Sequence, residues 1–228
     1  MNIQSGTITH PLLLDRKGVT VYYEIDRFIN EVLVQGEYLK PLLSFDILKR
    51  SDLKVIDLGC NIGAFSLSIY DCCSSIHAID LSTACIDILR KTIDYNALNK
   101  INTYNCAIGN ENTTVYPSSL EVTDGGNTIS GGTEPLESYT LSTFCKNNNI
   151  DNIDLLKIDI EGAENLVFSS DDFHIIAPHI NYIVGEVHSD QSAGNYLMKH
   201  NFTVNYKGNI IYAKNNNYAY SIAPDQEL

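Results

Sequence analysis

The chain lacks the features that mark nucleic-acid-binding, membrane-spanning and secreted proteins. Its 15 lysines and arginines are outnumbered by 28 aspartates and glutamates and form no basic block, so direct binding of a nucleic acid is disfavoured. No apolar run approaches the roughly 20 residues of a membrane span. The N-terminus shows no basic segment followed by an apolar core. We therefore expect a soluble, cytoplasmic protein.

The six cysteines form neither a metal-binding nor a disulfide pattern. No CxxC pair occurs, and no cysteine clusters with the six histidines. Because most of the cysteines lie inside apolar segments, we interpret them as reduced thiols of the core. A length of 228 residues suffices for one well-buried domain. We predict a single domain over residues 1–228, with a lead-in at 1–50 and a core at 51–228.

The most informative stretch is VIDLGCNIGAF, residues 55–65, in which an apolar strand ending near Asp57 runs into a turn and then a helix. In open α/β sheets, ligands bind outside the carboxyl ends of the strands, where such a turn brings backbone N–H groups close to them. Gly59 and Gly63 permit this approach, and Asn61 tolerates a positive φ better than most residues. The turn therefore has the pattern GxNxG.

This turn differs from the GxGxxG turn that accommodates the pyrophosphate of a dinucleotide. Because S-adenosylmethionine (SAM) has no pyrophosphate, the turn favours SAM. A second strand, IHAIDLS, ends in Asp80, at roughly the spacing of 20 residues where a carboxylate meets ribose hydroxyls. NAD would also use that carboxylate, so these two features alone leave both nucleotides open.

Residues 1–50 are predicted to form a helical lead-in. In TVYYEIDRFINEVLVQGEYLKPLLSFDILKR, apolar residues recur at helical spacing, with a stop near Gly36 or Pro41. The segment is either a lid over the ligand or substrate opening, or a helix packed on the edge of the sheet. Its tyrosines are candidate lid contacts: Tyr22, Tyr23 and Tyr38.

The middle of the chain continues the alternation of strands and helices. Ser82 or Thr83 is a candidate N-cap for a helix, and INTYNCAIGN gives a third strand whose end lies beside the same crevice. Residues 113–133 are rich in Gly, Ser and Thr, with β-like pieces at 114–116 and 127–130. This stretch is either a functional loop or a disordered excursion. A helix is predicted at 138–148.

Two further strands end in ionisable residues. In IDLLKIDIEGAENLVF, residues 153–168, a buried strand presents Lys157, Asp159 and Glu161 in alternation at its carboxyl end, and Glu164 lies in the first turn of the helix that follows. In INYIVGEVHSD, a strand at 180–187 delivers Glu186 and His188 on one face. Three ionisable residues at one strand end are hard to explain by packing.

The chain closes with a predicted helix at 193–200 and a hairpin in FTVNYKGNIIYAKN. Strands that alternate with helices and end in a hairpin indicate an α/β fold with a mostly parallel sheet and an antiparallel edge.

The strings VIDLGCNIGAFSL, YNALN, NCAIGN and above all LLKIDIEGAE followed by VGEVH carry a resemblance to a known family. The sequence resembles the FkbM-family SAM-dependent methyltransferases over roughly residues 54–214. The resemblance implies a class I, Rossmann-like fold with a seven-stranded, mostly parallel sheet, helices on both faces and a C-terminal antiparallel hairpin. It also implies methyl transfer from SAM to hydroxyls of sugars, glycolipids or polyketide-type metabolites.

Carried over onto this chain, the resemblance places the turn around the methionine part of SAM, Asp80 on the ribose and residues 105–107 near the adenine. The family usually has Glu-Pro where this chain has Asp80-Leu81. The predicted cofactor site comprises Asp57, Gly59, Cys60, Asn61, Gly63, Asp80, Leu81, Asn105, Cys106 and Ala107. The predicted catalytic residues, which lie beside the methyl group, are Asp159, Glu161, Glu186 and His188.

The leading hypothesis is an O-methyltransferase that aligns SAM with a hydroxyl of a sugar, a glycan or a related small molecule. One alternative is an NAD-dependent sugar dehydrogenase or epimerase. It would need a further glycine in the turn and a Tyr-xxx-Lys pair, which the second half of the chain lacks. The other alternative is a non-catalytic methyltransferase-like subunit, against which the intact acids at both strand ends count. The oligomeric state stays open.

We hypothesise that His188, held by a neighbouring carboxylate, is the general base and that Asp159 or Glu161 orients the acceptor hydroxyl. Asp159 is the alternative base. Some class I O-methyltransferases hold Mg²⁺ on carboxylates at the positions of Asp159 and Glu186. Since Mg²⁺ prefers oxygen ligands, His188 is not expected to bind it, and Mg²⁺ stays an open cofactor with no assigned ligands.

Overall fold

The structure is a computed structural model that describes residues 38–43, 47–121, 128–188 and 192–218, together with the backbone of 4–8 and 19–23. The strands in these residues are β1 (Gln4–Ile8), β2 (Val19–Tyr23), β3 (Leu53–Leu58), β4 (Cys73–Asp80), β5 (Ile101–Asn105), β6 (Ala107–Gly109), β7 (Thr113–Val115), β8 (Leu136–Thr140), β9 (Ile153–Ile158), β10 (Ile180–Glu186), β11 (Phe202–Lys207) and β12 (Ile210–Asn215).

The helices alternate with these strands. They are α1 (Leu39–Leu43), α2 (Ala64–Ser68), α3 (Thr83–Asn96), α4 (Leu141–Asn147), α5 (Glu164–Ser169), α6 (Phe173–Ile176) and α7 (Ser192–Lys199), with short 3-10 turns at Ile47–Lys49, Tyr70–Cys72 and Ala177–His179. The hydroxyl of Ser82 accepts a 3.2 Å hydrogen bond from the backbone N–H of Cys85, which confirms Ser82 as the N-cap of α3.

One seven-stranded sheet organises the fold, in the order β11-β12-β10-β9-β3-β4-β5. Strands β10, β9, β3, β4 and β5 are parallel, whereas β12 pairs antiparallel with both β10 and β11. This confirms the mostly parallel α/β sheet with a C-terminal hairpin. The chain runs outward from β3 in one direction and from β9 in the other, so a crevice opens between their carboxyl ends.

The core lies on both faces of this sheet. Val55 and Ile56 are neighbours on β3 and belong to different apolar clusters, because successive side chains of a strand point to opposite faces. Helices α1, α2 and α3 contribute to the cluster of Val55, and α4, α5, α6 and α7 contribute to the cluster of Ile56. Burial on both faces explains why β3, β9 and β10 each contain consecutive apolar residues and not a strict alternation of apolar and polar ones.

The N-terminal segment differs from the predicted helical lead-in. Strands β1 and β2 pair antiparallel, and β2 lies against α3. The β-branched and aromatic residues of VTVYY favour a strand, whereas the spacing of apolar residues over the longer segment indicates a helix. Residues 24–37, where most of the predicted helix falls, are outside the described residues. Pro41 lies inside α1 rather than ending a helix.

The segment between β5 and β9 also needs a correction. Residues 136–140 form strand β8, and only 141–147 are helical, where a helix was predicted at 138–148. Thr140 explains the boundary, because its hydroxyl accepts a 3.1 Å hydrogen bond from the N–H of Thr143 and caps α4. The predicted β-piece at 114–116 is confirmed for 114 and 115 by β7, which pairs with β8 and ends at Val115. Residues 128–130 are not a strand, and Asn127 lies outside the described residues.

In the described part of the chain, no helix is both long and apolar enough to cross a membrane.

Candidate active site

A cleft opens at the carboxyl ends of β3, β4 and β9. It encloses about 930 Å³ of empty space, including space open to solvent. The predicted cofactor residues that line it are Gly59, Cys60, Asn61, Asp80, Leu81, Cys106 and Ala107. The predicted cofactor residues that do not line it are Asp57, Gly63 and Asn105.

The turn after β3 has three positive φ angles, at Gly59 (71°), Asn61 (49°) and Gly63 (90°). The expectation that this turn needs residues tolerant of positive φ is confirmed. The glycines also serve the protein's own packing. A Cβ on Gly59 would overlap the carbonyl oxygen of Asp159, and one on Gly63 would overlap the side chain of Leu89. At Gly63 the close approach is therefore to a helix and not to the cleft.

Asp80 lies at the corner where β4 meets the cleft. Its Oδ2 accepts a 2.8 Å hydrogen bond from the N–H of Asn61, and its Oδ1 accepts one of 2.8 Å from the N–H of Ser82. Burial raises the pKa of this carboxyl, against the effect of the two N–H donors. The amide of Asn105 donates 3.0 Å hydrogen bonds to the carbonyl oxygens of Asp80 and Leu81, so Asn105 supports the corner from behind.

A buried lysine ties the turn to β9. Nζ of Lys157 lies 3.3 Å from Oδ1 of Asp57 and 3.8 Å from Oδ2 of Asp159, and it donates a 2.6 Å hydrogen bond to the carbonyl oxygen of Gly59. Asp57 is fully buried and also accepts a 2.7 Å hydrogen bond from Ser66. Burial favours the neutral amine, but the two carboxylates outweigh it and raise the pKa of Lys157. Asp57 thus supports the turn through Lys157.

The N-terminal segment reaches this centre through Tyr38. Its hydroxyl donates a 2.9 Å hydrogen bond to Oδ2 of Asp159, and its ring centroid lies 5.5 Å from Nζ of Lys157. The ring also packs edge to face on Phe65. Of the three candidate lid tyrosines, Tyr38 therefore contacts a predicted catalytic residue, whereas nothing is described of the side chains of Tyr22 and Tyr23.

The four predicted catalytic residues come together at one side of the cleft. Nε2 of His188 lies 3.5 Å from a carboxylate oxygen of Glu161 and 3.8 Å from one each of Asp159 and Glu186. Asp159 and Glu161 line the cleft itself. Because β9 and β10 are adjacent and parallel, their carboxyl ends bring these side chains to the same edge. The cluster is acidic, with one imidazole at its centre.

Sequence reasoning missed the role of Glu164. Its Oε1 lies 3.2 Å from Nδ1 of His188 and accepts hydrogen bonds from the N–H groups of Ile160 (3.1 Å) and Gly162 (3.2 Å). The side chain is fully buried. Burial raises the pKa of this carboxyl, but the hydrogen bonds outweigh it and lower the pKa. The signal in the sequence was an acid in the first turn of a helix, which by itself is ordinary.

The environment of His188 favours its charged form. The hydrogen bond to Glu164 raises the pKa of His188, burial opposes the rise, and the carboxylates of Glu161 and Asp159 add to it, giving a pKa of about 9. At neutral pH the imidazole therefore carries a proton, and a base at this position is generated as the pH approaches 9.

Three side chains of the cluster meet closely enough to be compared with a Mg²⁺ site. One donor atom each of Asp159, Glu161 and His188 lie within 4.8 Å of one another, close enough for one cation. However, the central member is an imidazole nitrogen, while Mg²⁺ prefers oxygen ligands in near-octahedral geometry. This donor set does not fit Mg²⁺.

A family profile described as the methyltransferase FkbM domain matches residues 57–210, the range that holds the turn, Asp80, the acidic cluster and β10. The chain belongs to the FkbM methyltransferase family. This membership makes the chain a SAM-dependent methyltransferase and disfavours the NAD-dependent alternative. No curated protein matches the sequence at a significant level.

Solved structures similar to this FkbM methyltransferase include three methyltransferases. Magnesium protoporphyrin IX methyltransferase from Synechocystis PCC 6803, with bound SAM, has a TM-score of 0.47 and 11% identity, covering 83% of this chain and 78% of that chain. Precorrin-6y C5,15-methyltransferase from Geobacter metallireducens has a TM-score of 0.46 and 11% identity, covering 75% and 83%. A SAM-dependent methyltransferase from Aquifex aeolicus has a TM-score of 0.46 and 10% identity, covering 84% and 97%.

Proposed function

We propose that the cleft binds SAM and that the enzyme transfers the methyl group of SAM to a neutral hydroxyl group beside the acidic cluster. The acceptor is a sugar, a glycan or a related small molecule. The observation that carries the proposal is the meeting of three carboxylates and His188 at the side of the cleft where Asp159 and Glu161 line it. When bound, SAM supplies an electrophilic methyl group. The protein's own residues hold the donor, orient the acceptor and take its proton.

The polar and apolar groups that line the cleft suit the parts of the cofactor. Each oxygen of Asp80 accepts one backbone N–H and keeps a lone pair for a ribose hydroxyl, since a carboxylate has about four acceptor sites. Cys106 and Ala107 line the cleft after β5, which suits contact with the adenine. The turn at 59–61 lines the rest of the cleft, and we place the methionine end of SAM there.

The charge of the cluster supports a neutral acceptor. Asp159, Glu161 and Glu186 are three acids around one imidazole, in a chain with a net charge of -13. Like charges disfavour a phosphorylated or carboxylated acceptor at this position. Carboxylates accept hydrogen bonds and donate none when ionised, so they suit an acceptor that presents O–H groups.

We further propose a cytoplasmic location. All six cysteines are free and buried, which agrees with a reducing compartment.

The test is methyl transfer from trideuteromethyl-SAM to a panel of neutral glycosides, uronic acids and amines, with products located by mass spectrometry and NMR. We expect the label on an oxygen of a neutral acceptor. Label on nitrogen or carbon, or preferential transfer to the uronic acids, would contradict the proposed acceptor. SAM binding with no transfer to any class would favour the non-catalytic subunit. Parallel reactions with EDTA and with added Mg²⁺ report on metal dependence, and we expect no difference between them.

A further inference from the structure

We propose that Glu164 is a positioning residue of the active site. One oxygen of its carboxylate orients His188 as the general base and also holds the strained turn at Glu161. The inference rests on the proposed function and assigns a role to a residue outside the cleft. It follows from the contacts of one fully buried carboxyl group.

The first contact orients the imidazole. Oε1 of Glu164 lies 3.2 Å from Nδ1 of His188, and a carboxylate is an acceptor, so Nδ1 carries the proton and donates. The other ring nitrogen, Nε2, then faces Asp159, Glu161 and Glu186 at 3.5–3.8 Å. Nε2 is therefore the atom that can exchange a proton with an acceptor bound at this side of the cleft.

The second role concerns the backbone. Glu161 has a φ of 54°, which is unfavourable for a residue other than glycine, and Gly162 follows with a φ of 97°. Oε1 of Glu164 accepts the N–H groups on either side of Glu161, at 3.1 Å from Ile160 and 3.2 Å from Gly162. These two bonds hold the turn in the conformation that directs Glu161 toward the cleft.

The reaction combines a proton transfer to His188 with a methyl transfer to the acceptor oxygen. The acceptor O–H bond breaks, its proton moves to neutral Nε2 of His188, and the oxygen forms a bond to the methyl carbon. The carbon–sulfur bond of the donor breaks with its electron pair on sulfur, which leaves S-adenosylhomocysteine. Glu164 stabilises the imidazolium that results, because its negative charge lies against Nδ1.

The charged groups facing His188 come from three elements among the described residues. Asp159 and Glu161 follow β9, Glu164 begins α5, and Glu186 ends β10. Lys157 lies behind Asp159, with its Nζ 3.8 Å from that carboxylate. Glu164, Glu161 and Asp159 raise the pKa of His188 and so favour the imidazolium. Of the four carboxylates, Glu164 alone contacts Nδ1.

The experiment compares wild type with Glu164→Gln, Glu164→Asp and Glu186→Gln. Glutamine keeps the size and one acceptor oxygen, so the turn can retain its hydrogen bonds while the negative charge is removed. Glu186→Gln is the matched control, because it removes one charge near Nε2 and leaves Nδ1 bonded. For each variant, NMR measures the pKa of His188, and kcat/KM is measured from pH 6 to pH 10.

In wild type, we expect kcat/KM to rise toward a midpoint near pH 9, in step with the titration of His188. In Glu164→Gln, both midpoints should fall by at least one pH unit, with a plateau at least 10-fold lower and unchanged SAM affinity. Glu164→Asp should restore part of the plateau, and Glu186→Gln should shift the midpoints less.

If Glu164 had only a structural role, Glu164→Gln would lower the rate at every pH and leave the midpoint of kcat/KM unmoved. That result would overturn the inference. A midpoint for His188 that falls in the NMR titration while the kcat/KM profile stays in place would also overturn it. Absence of methyl transfer by wild type would instead refute the proposed function, and the NMR titration would still show whether Glu164 controls His188. Should Glu164→Gln unfold, Glu164→Asp takes its place, because the shorter side chain draws the carboxylate away from Nδ1. Its midpoints should then fall further than those of Glu186→Gln, and equal midpoints in the two variants would overturn the inference.

Discussion

The hydroxyl of Tyr38 donates a 2.9 Å hydrogen bond to Oδ2 of Asp159. This contact joins the segment that precedes the sheet to the carboxylate that we place beside the reacting methyl group. Tyr38 is 2% exposed, and Asp159 also faces Nζ of Lys157 at 3.8 Å. Nε2 of His188 lies 3.8 Å from the other oxygen of Asp159, so this carboxylate is oriented by one hydroxyl between two cationic groups.

Tyr38→Phe removes that hydroxyl and keeps the ring against Phe65. Asp159 loses a hydrogen-bond donor, while the residues that line the cofactor cleft do not change. We therefore expect kcat to fall roughly 3- to 10-fold, which corresponds to the roughly 1 kcal/mol typical of one hydrogen bond. SAM affinity should not change. Steady-state kinetics and calorimetry measure the two quantities, and an equal loss in both would mean that Tyr38 shapes the cofactor site.

Lys157→Met tests the buried ion pair. The substitution leaves Asp57, which is fully buried, without its cation, and removal of one partner of such a pair costs about 3–5 kcal/mol. Urea unfolding should show that loss in the free energy of unfolding. The double variant with Asp57→Asn should recover part of it. A single variant as stable as wild type would show that Lys157 is not needed to compensate Asp57.

Gly59→Ala and Gly162→Ala form a matched pair. Both positions have positive φ angles, but a Cβ on Gly59 would overlap the carbonyl oxygen of Asp159, while one on Gly162 would meet nothing within 4 Å. We expect about 1 kcal/mol of destabilisation at Gly162 from backbone strain, and several times that at Gly59. Similar losses in the two variants would contradict the close approach of the turn to β9.

The charge on His188 makes stability depend on pH. The folded pKa of about 9 lies above the ordinary value of 6.5, so the stabilisation by the imidazolium is fully present below pH 6.5 and is lost as the pH rises through 9. Unfolding curves should show wild type more stable than His188→Gln by about 1–2 kcal/mol at pH 6, after allowance for solvent screening. The gap should close by about pH 9.5. A gap that widens with pH would contradict the raised pKa.

Much of the fold was predictable because its signals are local. The apolar strand before Gly59, the acid that ends β4 and the hairpin after α7 each follow from a short pattern whose physical cause lies within a few residues. The strand β2 was not predicted, because VTVYY fits both a strand and one turn of a longer helical pattern. Only pairing with β1, which the sequence does not reveal, decides between them.

The sequence indicated which side chains meet at the strand ends, but not the contacts that they make. Strand ends brought Asp159, Glu161, Glu186 and His188 together as expected. Oε1 of Glu164 meets two backbone N–H groups and an imidazole, and these contacts arise only once the start of α5 and the residue after Val187 come together in the folded chain. Asp57 was predicted to lie around the cofactor, but it is fully buried and forms an ion pair with Lys157.

The central claim is that the cleft binds SAM, with the carboxylate of Asp80 on the ribose. Calorimetric titration of SAM into wild type, Asp80→Asn and the control Asp87→Asn tests it most directly, because Asp87 is an exposed acid on α3 whose partner is Arg90. We expect wild type and Asp87→Asn to bind SAM equally, Asp80→Asn to bind at least 10-fold more weakly, and NAD to give no heat of binding. Equal SAM affinity in all three proteins, or binding of NAD in place of SAM, would contradict the account.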